Sequence, residues 1–159
     1  MSIYWIILIA LIYLILVFLV PLIFFPNFLI FKPKINITKK IKRIAGKLKA
    51  KDKEKTLKRI FDYVQDIYSS ERYKLFILFY KHFYYNVDKL VDKKQFFGCN
   101  VQSLVLRTLL LATNQFSEKD LKRKIVMTRF GTIHQYYLVN VKNKVFKADP
   151  FFNILEEKS

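Results

Sequence analysis

From Met1 to Phe31 the chain carries no Asp, Glu, Lys, Arg or His, and Ile6 to Phe25 is almost purely Ile, Leu, Val and Phe. A water-exposed helix needs a polar face, and this stretch offers none. About 20 apolar helical residues span a hydrocarbon core, so Ile3 to Phe25 predicts a transmembrane helix that kinks or ends at Pro21 and Pro26. A cleaved signal peptide fits less well, because there is no basic leader, the run is long, and bulky residues occupy its exit. Trp5 stands where an interfacial anchor would.

Between Lys32 and Arg59 there are thirteen Lys or Arg against two acids, Asp52 and Glu54, which supplies +11 of a formal net charge of +17. Basic residues close to a span stay on the cytoplasmic side, so the expectation is a single-pass protein, N-terminus outside and C-terminal domain cytoplasmic. Ile41, Ile44 and Leu48 form a thin apolar stripe among lysines, a pattern suited to lying on anionic headgroups of the bilayer. Nucleic acid is disfavoured as a partner: the charge concentrates beside the predicted span, and no zinc spacing, glycine-rich phosphate loop or nucleic-acid motif appears. One cysteine cannot form an internal disulfide, and a reducing compartment would leave its thiol free.

The remaining chain reads as one body. Residues 1–31 are the expected anchor, 32–55 a basic juxtamembrane segment and 56–159 the domain. Leu57, Ile60, Phe61, Val64, Ile67 and Tyr68 share one helical face. Tyr73 to Tyr85 reads as another buried helix, with His82 as a packed core histidine. Cys99 to Thr113 is a leucine-rich helix ended by Asn114, a residue that tolerates the left-handed conformation. Phe116 to Lys124 is a charged connector. Ile125–Arg129, Ile133–Val141 and Val145–Ala148 are strands, the last two joined by a tight turn at Asn143. Helices first and an antiparallel sheet last make an α+β fold.

Three residues bring chemistry to this frame. Gly98-Cys99 opens the leucine-rich helix, where unpaired amides and a partial positive charge favour a thiolate and can hold an oxyanion. His134 begins the long strand and Asp149 closes the next. Counting outward from a turn at Asn143 places both at the open end of that hairpin, where the carboxylate fixes the imidazole tautomer and the imidazole exchanges a proton with the thiol.

That order resembles the transglutaminase-like superfamily of papain-type cysteine peptidases. The residues concerned are Gly98-Cys99 before a hydrophobic helix, then His134-Gln135-Tyr136-Tyr137-Leu138-Val139, then Lys147-Ala148-Asp149-Pro150. The match covers about Phe97 to Phe152. Tyr136 stands where the family has Trp, and Asn114 to Lys124 replaces the family's Gly-Ile-Pro-Ala-Arg. The resemblance implies a small papain/transglutaminase-like domain, a Cys99–His134–Asp149 catalytic triad, and Gln95 as the nearest oxyanion side chain. It implies neither a metal nor a cofactor. The expected function is a membrane-anchored thiol hydrolase, a peptidase or amidase, working through a thioester acyl-enzyme on a peptide or protein substrate, with transamidation to a Lys amine as the variant outcome. The alternative is an inactive scaffold or interaction protein of the same fold at the membrane.

Overall fold

The computed structural model describes residues 3–30, 34–69, 86–91, 94–127 and 133–158, with side chains described throughout these except at 17–30, 69, 95 and 96. The chain divides into two compact units, Met1–Lys34 and Ile35–Ser159. The expected helix over Tyr73 to Tyr85, with His82, lies outside the described residues.

The first unit is one helix, α1 (Ile3–Ile30), without an acidic residue in its first turn or a basic one in its last. The large apolar side chains from Ile3 to Leu16 are exposed. Among the described residues no helix is long and apolar enough to cross a membrane. This corrects the expected transmembrane helix. The single-pass topology, with the N-terminus outside and the body cytoplasmic, rested on that span and loses its basis.

The second unit is an α+β body. Helices α2 (Lys39–Leu48) and α3 (Lys53–Ile67) each begin on a polar cap. The Thr38 hydroxyl accepts from the Ile41 amide at 3.3 Å, and the Asp52 carboxylate accepts from the Lys55 amide at 3.1 Å. Each cap satisfies an amide that the helix itself leaves unpaired. A short strand β1 (Tyr68–Ser69) follows, then one turn of helix, α4 (Val87–Leu90). Strand β2 (Gln95–Phe96) pairs in parallel with β1. Helix α5 (Cys99–Ala112) is the centre of the body, with Val101, Val105, Leu106, Leu109 and Leu110 fully buried.

Helices α2 and α3 pack on α5 from one side and the sheet from the other. The buried face of α3, comprising Leu57, Ile60, Phe61, Val64 and Ile67, is the one its periodicity marks. The apolar stripe of α2 turns to this same core: Ile41 and Ala45 are fully buried, and Ile44 and Leu48 pack against them. That corrects the bilayer partner expected for α2. Its amphipathic pattern is satisfied by protein, and its lysines form the solvent face.

The sheet is four-stranded and antiparallel in the order β3 (Leu121–Met127), β4 (Ile133–Val141), β5 (Lys144–Asp149), β6 (Ile154–Glu157). The β4–β5 hairpin turns at Lys142 and Asn143, with Val141 paired to Lys144 and Lys142 in the left-handed region at φ 55°. Asn114 ends α5 in the same region, at φ 57°.

Candidate functional site

The site is built where the first turn of α5 meets the start of β4. Gly98 caps the helix in an extended conformation and offers no side chain to bond the first amides. Cys99 is therefore the first residue at the positive pole of α5, half-buried and not in a disulfide. Two hydrogen bonds hold that turn to the strand. The Ser103 hydroxyl donates to the Gln135 carbonyl at 3.3 Å, and the Gln135 side-chain amide donates to the Asn100 carbonyl at 3.3 Å. Both involve the residue after His134, so they set the helix terminus beside the imidazole.

His134 and Asp149 meet directly. His134 Nε2 lies 2.6 Å from Asp149 Oδ2, with both side chains almost wholly buried. The hairpin arithmetic explains the pairing: Tyr137 is opposite Ala148, so Asp149 falls one step further toward the mouth, next to the β4 stretch that carries His134. The other carboxylate oxygen, Oδ1, accepts from the Phe152 amide at 3.2 Å. Aromatic rings enclose the imidazole. Phe152 is edge-on at 4.5 Å between centroids, Phe151 lies at 5.7 Å, and Tyr136 is stacked at 6.3 Å.

These surroundings raise the pKa of His134 from 6.5 to about 9. Burial is the largest influence and pushes it down. It is outweighed by the hydrogen bond to Asp149 and by the neighbouring Cys99. The imidazole is thus held in its cationic form near neutral pH, between a carboxylate and a thiol.

The structure therefore joins His134 to Asp149 in one tight contact and brings Cys99 within hydrogen-bonding reach of the ring. Gln95, the expected oxyanion side chain, is described only through its backbone, which pairs with Tyr68 in the β1–β2 ladder; its side chain lies outside what is described. Sequence reasoning missed the rings of Phe151 and Phe152. A visible signal existed, since two aromatics follow Pro150 immediately after the site aspartate.

No protein-family model, curated protein or solved structure matches this chain at a significant level. Two structural findings stand against the expected membrane-anchored thiol hydrolase. Among the described residues no helix is long and apolar enough to cross a membrane. Among them, too, no group of three or more His, Cys, Asp and Glu side chains gathers closely enough to hold a metal ion. The cysteine-peptidase assignment, the peptide or protein substrate deduced from it, and the membrane-bound scaffold all lose their support.

Proposed function

We propose that this protein works through a reactive thiol, in which Cys99 forms a covalent bond to an electrophilic carbon while His134 handles the proton and Asp149 orients His134. The observation that carries this reading is the buried contact of 2.6 Å between His134 Nε2 and Asp149 Oδ2, on a ring whose pKa the neighbouring Cys99 also helps to raise. With Nε2 committed to the carboxylate, Nδ1 is the nitrogen left for the thiol. The ring plane is thereby fixed before any ligand arrives.

The chemistry is one bond formation. With the ring cationic, the Sγ proton already rests on Nδ1; the sulfur lone pair makes the S–C bond, and the carbon's leaving group departs with the bonding pair. A cationic imidazole beside the sulfur favours the thiolate, and the positive pole of α5 adds to it. The resemblance to the transglutaminase-like superfamily enters only through the roles it suggests for these three residues.

Iodoacetamide tests the reading on the intact chain. At pH 7 Cys99 of the folded protein is expected to be alkylated faster than in the denatured chain, with iodide as the leaving group. His134→Ala is expected to slow the folded protein roughly tenfold or more. A thiol that reacts only after denaturation, or at the same rate with and without His134, contradicts the reading.

A further inference from the structure

We infer that Gln65 and Phe152 are positioning residues of the thiol site, which together lock the turn after Asp149 so that its carboxylate faces His134. The inference rests on the reactive-thiol reading and extends it to a contact from α3 that the sequence order of Cys99, His134 and Asp149 does not contain.

Residues 150–153 carry the chain from β5 into β6. Asn153 reverses its direction in the left-handed region at φ 55°, and its amide donates to the Pro150 carbonyl at 3.4 Å. Within the turn, the Phe152 amide donates to Asp149 Oδ1 at 3.2 Å. The two carboxylate oxygens are thereby divided, one to the backbone and one to His134. The Phe152 ring then returns over the imidazole at 4.5 Å, so one residue grips the aspartate with its amide and covers the histidine with its ring.

Those contacts fix Asp149 relative to its own turn. The sheet holds the two ends of the turn, since Asp149 pairs with Ile154 across it. Gln65 adds a hold from outside the sheet: it lies on the last full turn of α3, half-buried, and its side-chain amide donates to the same Pro150 carbonyl, 85 residues away in sequence. Proline cannot donate to a ladder, so its carbonyl is the group available for an outside hold at that point. Helix α3 itself is anchored by its buried face, so the turn is referenced to the core. A displaced carboxylate would weaken a charge-assisted hydrogen bond whose strength depends on distance and direction.

The test uses the whole chain with Gln65→Met, which keeps length and removes the donor, and Phe152→Leu, which keeps an apolar side chain and removes the ring. Asp149→Asn is the reference. Two quantities are read: the titration midpoint of the His134 ring by NMR, assigned through His134→Ala, and the iodoacetamide rate at pH 7. Gln65→Met is expected to lower the midpoint by about one unit from its value near 9 and to slow alkylation roughly three- to tenfold. A merely structural glutamine would change the melting temperature and leave both readouts in place. If Gln65→Met and Phe152→Leu leave both unchanged while Asp149→Asn moves them, the positioning role is wrong and the thiol reading stands. If Asp149→Asn moves neither, the thiol reading fails and takes the inference with it. Should Gln65→Met fail to fold, Phe152→Leu decides by the same two measurements.

Discussion

Near one end of β4 His134 meets Asp149; three residues on, Tyr137 lies under the influence of Arg107, which pairs with Glu118. Both arrangements bury a cation against a carboxylate beside the same strand. Arg107 is buried on α5, and its Nε donates to Glu118 at 3.3 Å while a terminal nitrogen makes the second bond. Glu118 remains 45% exposed. This pair ties α5 to the connector before β3. An Arg stays charged at any ordinary pH and has no proton to exchange. At the His134 end the cation is one that titrates, and it touches a half-buried thiol at a helix terminus. Burial and ion pairing are thus shared by a structural clamp and a candidate reactive site. What separates them is a titratable partner next to a nucleophile that solvent can reach.

The comparison can be broken by exchanging the roles. Arg107→Leu is expected to cost about 2 kcal/mol of stability, since it strips a partner from the buried Tyr137 hydroxyl while Glu118 can turn to water. Chemical denaturation measures this, and the iodoacetamide rate of Cys99 is expected to stay within about twofold of the parent. A large loss of thiol reactivity with little loss of stability would erase the distinction between the two pairs.

A smaller effect sharpens it through pH. The folded pKa of His134 is about 9, above the ordinary value of 6.5. The stability this shift contributes is therefore complete below pH 6.5 and is lost as pH rises through about 9. An arginine keeps its charge throughout that window and contributes no slope. The Tyr137 hydroxyl, whose pKa is raised first of all by burial and lowered in part by Arg107, enters only above its ordinary value of 10. Urea midpoints between pH 6 and 9 should fall in the parent and fall less steeply in Asp149→Asn. Parallel profiles would place the slope elsewhere in the molecule.

How much of this was legible depends on the range of the interaction. Strand β4 was read over Ile133–Val141, its observed bounds, because a sheet segment this apolar and β-branched has few other uses. Strand β3 was placed at Ile125–Arg129 but begins at Leu121. Lys122, Arg123 and Lys124 look like a solvated connector, yet an edge strand accepts such residues. Strand β6, short and ending in Glu156 and Glu157, lies on the other edge and was missed for the same reason. The stripe of α2 could not reveal its partner, since lipid and protein ask for the same periodicity. His134 and Asp149 could be brought together by counting along one hairpin. Gln65 could not, because nothing local ties a helix residue to a turn 85 positions away.

The most direct measurement is the titration of the His134 ring by NMR in the parent, in Cys99→Ala and in Asp149→Asn. The parent is predicted to titrate near pH 9, because the carboxylate and the thiol together outweigh burial. Each substitution should lower the midpoint, Asp149→Asn more than Cys99→Ala, since the aspartate makes the stronger hydrogen bond to the ring. A His134 that titrates near 6.5 in the parent and ignores Cys99→Ala would show that thiol and imidazole are uncoupled, and that Cys99 is only a cysteine at the end of a helix.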